Sequence, residues 1–180
     1  MKQFEPYFSL LDGYAFATPQ DRENALWAAL WASQARNVND EIVPAFRPPM
    51  VVIEGPMASG KSRLAGALSE LAGQAGCYGP PREMDLNMVA AMERSIAWFD
   101  NVPRLSQKAS ELLAAFITAK RWSFRLLGTR NHREVNLYCL TVLTAVRLEL
   151  PADLERRAIR IRLEAIKHPV STKKLKGGSK

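Results

Sequence analysis

The feature that most constrains the fold of this chain is the stretch at residues 50–63, where a short apolar run leads into a glycine-rich turn. The run at residues 50–53 is typical of a buried strand. Gly55 follows it, and after four further residues come Gly60, Lys61 and Ser62. This is the spacing of a phosphate-binding loop, which needs a strand before it and a helix after it, and the sequence predicts both.

Each residue type in this loop has a physical role in holding phosphate. Glycines allow backbone conformations that a Cβ disfavours, so that successive N–H groups can point into one concavity. The positive end of the following helix attracts the anion. Lys61 is expected to contact the terminal phosphates of ATP, and the Ser62 hydroxyl to bind Mg²⁺. The predicted nucleotide-contacting residues are consecutive: Gly55, Pro56, Met57, Ala58, Ser59, Gly60, Lys61, Ser62 and Arg63.

Composition places the chain among globular proteins. Its 180 residues are 47% hydrophobic and 24% charged, which is the balance of a single domain with a substantial core. No apolar run approaches the length of a membrane span, and the first residues lack a signal-peptide pattern. Cys77 and Cys139 show neither metal-type spacing nor a disulfide framework. We therefore expect no membrane contact and a cytoplasmic location.

Positive charge is concentrated in the last part of the sequence. Residues 151–180 hold nine Lys or Arg and three Asp or Glu, which gives +6 of the formal net charge of +7. Such a segment can contact nucleic acid or another polyanion, and it can equally be a solvated tail. For residues 171–180 the basic, polar composition predicts disorder.

Apolar periodicity divides the chain into alternating helices and strands. Residues 1–17 are too apolar for a free tail and are expected to pack on the domain. Thr18 and Pro19 open a predicted helix that runs to about Arg36. Trp27 and Trp31 share one face of it, where core packing is expected and a subunit contact or an adenine-stacking surface is the alternative. Further helices are predicted after the phosphate loop up to Gly73 or Gly76, at 85–94, from Ser106, and at 151–157. Further strands are predicted at 95–101, 135–146 and 158–163, with the run at 135–146 as a central strand.

This alternation predicts an α/β fold with a parallel sheet covered by helices on both faces. Ligands of such sheets bind beyond the carboxyl ends of the strands, so Glu54, Asp100 and Thr144 are expected on one rim. Asp100 ends an apolar strand about forty residues after the loop. A carboxylate in that position can organise the Mg²⁺ shell, and Ser62 and Asp100 are therefore the predicted metal-binding residues.

Three segments taken together resemble the AAA+ ATPases. They are the phosphate loop, the sequence Trp-Phe-Asp-Asn at 98–101, and Asp-Leu-Glu-Arg-Arg at 153–157. Their order and spacing are most similar to helicase-like, superfamily 3-like DNA-replication ATPases of phages and mobile elements. The resemblance covers about residues 45–165. It divides residues 1–170 into a lead-in at 1–49 and a P-loop ATPase core at 50–165, in one domain with little or no C-terminal lid.

The resemblance implies an assembly and a division of roles. It implies a ring, usually of six subunits, with ATP and Mg²⁺ at each interface and DNA in a central channel. The loop at 55–62 would be the Walker A motif and Asp100 the Walker B aspartate. Arg156 or Arg157 would reach the γ-phosphate of a neighbouring subunit, where a guanidinium stabilises transition-state charge. The alternative for this pair is a solvated helix end.

The sequence departs from the family pattern at two places. Asn101 stands where many AAA+ proteins have a second acidic residue, and an amide cannot act as a general base. Glu54 is the nearest alternative carboxylate on the predicted rim. The family usually has a polar sensor residue at the end of the next strand, and here that position falls near Val146, with Thr144 as the polar substitute. ATP binding is therefore more firmly predicted than ATP hydrolysis.

Two other functions remain open at the level of sequence. One is a nucleotide-binding interaction module with weak or no hydrolysis, which the departures at Asn101 and Val146 favour. The other is a small-molecule or nucleotide kinase built on the same loop, with Arg121, Arg125 and Arg130 in a mobile lid. In the AAA+ interpretation those arginines belong to a β-hairpin.

Overall fold

The computed structural model of the protein describes residues 5, 7–35, 49–74, 76–125, 128 and 130–165. The predicted helix end at Arg36, most of the predicted connection at 37–49 and the predicted tail at 171–180 lie outside these residues. The helices are α1 (Pro19–Ala35), α2 (Lys61–Leu71), α3 (Glu83–Ala91), α4 (Gln107–Thr118) and α5 (Ala152–Glu155). The strands are β1 (Met50–Glu54), β2 (Ile96–Phe99), β3 (Arg121–Arg125), β4 (His132–Asn136), β5 (Leu140–Ala145) and β6 (Ala158–Arg162). No helix within the described ranges has the length and apolarity that a membrane crossing requires.

The main sheet is parallel and has the strand order β2-β5-β1-β6. β1 lies between β5 and β6 and is buried along its whole length. This confirms the predicted α/β fold, because parallel strands buried on both faces read as continuous apolar runs. The register pairs Ile53 with Thr144 and Glu54 with Ala145, so the carboxyl ends of β1 and β5 meet at one edge.

Side chains alternate between two apolar clusters, one on each face of the sheet. Val51 and Ile53 pack with α1 and α2, whereas Met50 and Val52 pack with α3, α4 and α5. Helices therefore cover both faces, as predicted. The side-chain hydroxyl of Ser106 accepts a hydrogen bond from Ala109 N at 3.2 Å and caps α4.

The segment before α1 joins the edge of the sheet. Phe16 forms an antiparallel bridge with Leu163, just beyond β6, and Ala17 N donates to Arg162 O at 2.9 Å. Thr18 then caps α1, since its hydroxyl accepts from Asp21 N at 3.2 Å. The described part of residues 1–17 thus packs on the domain, as predicted. This attachment fixes the segment beside the carboxyl edge of β6.

The tryptophan pair of α1 belongs to the core. The rings of Trp27 and Trp31 stack with centroids 5.9 Å apart. Trp31 is buried, and Trp27 packs against the same apolar cluster. Core packing, the expected interpretation, is confirmed for this face of α1.

The prediction of one central strand at 135–146 is wrong in part. The carboxyl half of this range forms β5, which is a central strand. The amino half belongs to β4, which pairs antiparallel with β3 in a separate hairpin. Four of the five β4 residues are exposed and only Val135 is buried. The chain leaves the hairpin at Leu137, whose N–H donates to Lys120 O at 2.9 Å. The apolar residues at 137–140 connect the end of β4 to the start of β5. A hydrophobicity pattern therefore shows one continuous apolar run and does not reveal the boundary between the two strands.

Candidate nucleotide-binding site

The phosphate loop connects β1 directly to α2, as the sequence predicted. Gly60 occupies the N-cap position of α2 with φ +91°. A left-handed backbone in that position favours glycine, which has no Cβ to clash. Ala58 also has a positive φ, +60°, and a non-glycine residue in this region is strained. The turn therefore holds its backbone in a conformation that the chain would not adopt without tertiary support.

Two observations show that the loop suits a phosphate. A Cβ added at Gly55 would lie 2.4 Å from Leu163 O and 2.7 Å from Ser59 Oγ, so only glycine fits. Ser59 Oγ is buried and has no hydrogen-bond partner among the described residues. A buried unsatisfied hydroxyl is costly, and a phosphate oxygen at this helix N-terminus would satisfy it. The residues present therefore fit the triphosphate group that the motif implies.

Lys61 lies at the centre of the loop. Its ammonium group donates to Pro56 O at 2.6 Å, so that the side chain folds back over the turn. The pKa of Lys61 is lowered overall, because the effect of partial burial exceeds the opposing effect of the nearby Asp100 charge. A cation held in a partly desolvated position is available to a phosphate oxygen, which would replace the carbonyl as its partner.

Ser62, Asp100 and Thr144 meet at the carboxyl edge of the sheet. Asp100 Oδ1 accepts from Ser62 Oγ at 2.8 Å and from Thr144 Oγ1 at 2.6 Å. The first contact links α2 to the residue after β2, across a separation of 38 positions. A hydroxyl and a carboxylate are oxygen ligands of the kind that Mg²⁺ prefers. Ser62 and Asp100 are the residues that would hold the ion, which when bound would neutralise charge on the terminal phosphates.

Asn101 lies next to this group in a strained conformation. Its φ is +52°, and its N–H donates to Thr144 Oγ1 at 2.8 Å. Thr144 thus holds both Asp100 and Asn101 in place. Val146, at the predicted sensor position after β5, is 62% exposed. The apolar side chain of Val146 cannot orient a water molecule.

Glu54 is on the predicted rim, but its carboxylate is already engaged. Oε1 accepts from Leu148 N at 2.6 Å and forms an ion pair with Arg160 at 2.7 Å. Arg160 also contacts Glu155 at 2.6 Å and Leu148 O at 3.0 Å. The hydrogen bonds to Glu155 and Glu54 raise the pKa of Arg160, and the bond to Arg160 lowers the pKa of Glu155. Glu54 is also only 8% exposed, so a general-base role is disfavoured because its carboxylate has little access to the water molecule that a base must reach.

Arg156 and Arg157 lie at the opposite edge of the sheet from the loop. Met50 N, at the start of β1, donates to Arg157 O at 2.9 Å, so this pair sits at the amino ends of the strands. β1 has five residues, which separates the two edges by about 16 Å. Both arginines contact Asp153 Oδ1, at 2.9 and 3.2 Å, and lower the pKa of that carboxyl. The fold therefore keeps the pair away from the loop of its own chain.

Sequence reasoning did not assign Tyr14 to the site, although the structure places it there. A Cβ at Gly60 would lie 3.2 Å from the Tyr14 ring. The guanidinium of Arg63 lies over the same ring, 4.3 Å from its centroid, and donates to Gly13 O at 3.1 Å. In the sequence Tyr14 is one of several aromatic residues before α1, and only the bridge at Phe16 shows which of them meets the loop.

The backbone resembles two solved structures, one of which is a helicase. The JCV helicase with a bound thiazolopyridine acetamide has a TM-score of 0.55 and 18% sequence identity, and the match covers 82% of this chain and 42% of that one. The apo A form of the NrS-1 C-terminal region has a TM-score of 0.54 and 13% identity, covering 89% and 42% respectively. At these identities the likeness is one of fold, and this chain spans less than half the length of either protein. No family model and no curated protein matches the sequence.

Proposed function

We propose that this chain is the nucleotide-binding core of a DNA-directed, helicase-type motor that binds ATP with Mg²⁺ and hydrolyses it. The observation that carries the proposal is the hydrogen bond of 2.8 Å between Ser62 and Asp100. It brings the last residue of the phosphate loop to the carboxylate that the motif requires. The helicase-like fold supports the type of motor.

In this proposal the protein promotes hydrolysis by positioning the attacking water and by stabilising negative charge on the phosphates. No carboxylate acts as a general base. Phosphoryl transfer needs little covalent chemistry from the protein, and a side-chain amide can orient the attacking water. Asn101 is exposed, adjacent to Asp100, and held by its backbone to Thr144. Asn101 takes the water-orienting role, while Lys61 stabilises negative charge on the terminal phosphates.

The arrangement of the arginines supports assembly into a ring of several copies. Arg156 is 75% exposed and Arg157 is 43% exposed at the edge away from their own loop. A guanidinium in that position completes the site of a neighbouring copy, because it supplies transition-state charge stabilisation in trans.

DNA binding is proposed from charge and placement. The β3–β4 hairpin is a sheet of its own that packs on the domain through Phe124 and Val135, and it exposes Arg121, Arg125, Arg130 and Arg133. Exposed basic side chains on one hairpin suit contact with a phosphate backbone, and such contacts weaken as salt rises. Salt-dependent binding to single- and double-stranded DNA tests this part of the proposal.

A second candidate function is a nucleotide-binding interaction module without turnover. The exposed Val146 favours it, because a valine at the predicted sensor position cannot orient a water molecule. Tight ATP binding with no release of phosphate, in the presence and absence of DNA, would establish this function in place of the motor.

The decisive experiment is steady-state ATP hydrolysis with and without DNA while the oligomeric state is followed by sedimentation. Lys61→Ala is expected to abolish ATP binding and hydrolysis, since the loop then lacks its cation. Lys108→Ala is the matched control: Lys108 is an exposed lysine on α4 whose side chain has no hydrogen bond or ion pair to the loop among the described residues, and this variant is expected to keep both activities.

Two results would contradict the proposal. One is an unaltered protein that does not bind ATP at all. The other is a Lys61→Ala variant that binds ATP as tightly as the Lys108→Ala control, because the loop would then not be the nucleotide site.

A further inference from the structure

We propose that Tyr14 and Arg63 form a preformed platform on which the base of a purine nucleoside triphosphate stacks. This inference rests on the proposed function, because it assigns the base end of the same nucleotide. It gives the segment before α1 a direct part in nucleotide recognition.

The direction of the bound nucleotide follows from the sheet order. Ser62 and Asp100 mark the side of the loop that takes the terminal phosphates and Mg²⁺. Asp100 follows β2, the strand at one end of the order β2-β5-β1-β6. The base must therefore leave the loop toward β6, at the other end. That is where the bridge between Phe16 and Leu163 holds the segment containing Tyr14.

Helix geometry places Arg63 on the face of α2 that contacts the ring of Tyr14, which belongs to the segment before α1. Gly60 and Arg63 are three positions apart, so they lie on one side of the first helical turn. Both of them meet the ring of Tyr14. Ser62 points to Asp100 instead. The phosphate-binding and base-binding sides of the loop are thus separated by the turn of the helix.

The platform needs little rearrangement to accept a base. Arg63 is held by two contacts, the hydrogen bond to Gly13 O and the ring of Tyr14. Arg63 is exposed and its guanidinium carbon lies 4.3 Å from the centroid of the Tyr14 ring, so the side of the guanidinium away from that ring is the one assigned to the base. Guanidinium planes stack on aromatic rings, and a nucleobase presents such a face. Tyr14 orients Arg63, and Arg63 contacts the base.

This kind of recognition selects a class of ligand. The strength of stacking depends on the area of the aromatic face of a base and not on its hydrogen-bonding edge. The platform therefore favours purine over pyrimidine nucleotides and distinguishes adenine from guanine weakly. ATP and GTP are expected to bind with similar affinity, and both more tightly than CTP.

The test compares ATP with inorganic tripolyphosphate, which has the phosphates and no base, by isothermal titration calorimetry. Tyr14→Leu is expected to weaken ATP binding by up to about tenfold, because Arg63 then loses the ring that orients it for its stacking contact with the base, and to leave tripolyphosphate binding unchanged. Arg63→Lys keeps the charge and loses the planar group, so it is expected to have the same selective effect. Tyr14→Trp restores ATP binding, which separates loss of the ring from loss of folding.

A similar arginine–aromatic pair elsewhere in the chain provides the control. The guanidinium of Arg22 lies over the ring of Phe8, 5.5 Å from its centroid, with no contact to the loop in the structure. Phe8→Leu and Arg22→Lys should leave the affinities for both ligands unchanged. The ratio of the two affinities is the readout, because general destabilisation would weaken both ligands together.

The possible failures are distinguishable. If the unaltered protein binds neither ATP nor tripolyphosphate, the proposed function fails and the platform fails with it. If it binds both, and Tyr14→Leu weakens both equally or neither, the platform is overturned while the phosphate site stands. A strong preference for ATP over GTP would also overturn it, since stacking alone cannot produce that difference.

Discussion

At the scale of single residues, the hydroxyl of Thr144 organises the centre of the site. It donates to Asp100 at 2.6 Å and accepts from Asn101 N at 2.8 Å, and the residue is buried. One side chain thus fixes the carboxylate proposed to hold Mg²⁺ and the amide proposed to orient water. Its contribution can be measured separately from nucleotide binding.

Thr144→Val is expected to lower the free energy of unfolding by about 1 kcal/mol, because the Asn101 N–H loses its acceptor in a part-buried place. Urea unfolding of the protein without nucleotide measures this. Thr141→Val is the matched control in the same strand: Thr141 is buried, and its hydroxyl has no partner within the described part of the chain. That variant should be neutral or stabilising. Equal losses in both variants would show that the two hydrogen bonds contribute nothing measurable.

The sequence predicted this group of residues for a physical reason. Asp100 and Thr144 each follow an apolar run, and parallel strands bring their carboxyl ends to one edge. Tyr14 could not be found in the same way. Its role depends on a long-range bridge between Phe16 and Leu163, and no local periodicity encodes which distant residue a strand edge will meet.

At the scale of secondary-structure elements, Arg160 connects three of them. It extends from β6 to Glu54 on β1 and to Glu155 on α5, and its side chain is 17% exposed. Taken alone, an arginine within an alternating strand is typical of a solvent-facing side chain. The side chain is instead drawn inward because Glu54 offers a buried partner. The charge pattern of one strand does not show that an adjacent strand will place a carboxylate beside it.

Glu54→Gln is expected to lower the free energy of unfolding by about 2 kcal/mol. This is less than for a fully buried pair, because Arg160 keeps Glu155 as a partner. Glu155→Gln, at a more exposed partner of the same guanidinium, should cost less than about 1 kcal/mol. Urea unfolding of both variants gives the comparison.

Steady-state hydrolysis by the Glu54→Gln variant then separates the two roles of this carboxylate. A stable variant with greatly reduced hydrolysis would support Glu54 as a general base. An unstable variant that retains hydrolysis per folded molecule supports the role in the ion pair.

At the scale of the whole molecule, the two groups of candidate site residues occupy opposite edges of one sheet. The loop and Asp100 lie at the carboxyl edge, and Arg156 and Arg157 at the amino edge. The sequence predicted the residues of both groups. Their separation follows from the strand order and the direction of β1, which only the assembled sheet defines.

Mixing two inactive variants tests whether the carboxyl edge of one copy and the amino edge of another form one site. Lys61→Ala and the double variant Arg156→Ala, Arg157→Ala are each expected to lack hydrolysis. A mixture should regain part of the activity, because some sites join an intact loop to intact arginines from a neighbour. The regained phosphate release is measured against the unmixed variants. If the arginine variant is fully active alone, or if mixing restores nothing, the arginines do not act in trans.

The distance of about 16 Å spanned by β1 also has a kinetic consequence. A catalyst whose parts lie on one chain works at the same rate per molecule at any dilution. Here a complete site would have to be built from two chains, so turnover per chain should rise steeply with concentration and then level off. The reaction order at low concentration would report directly on the number of chains that meet to make one site.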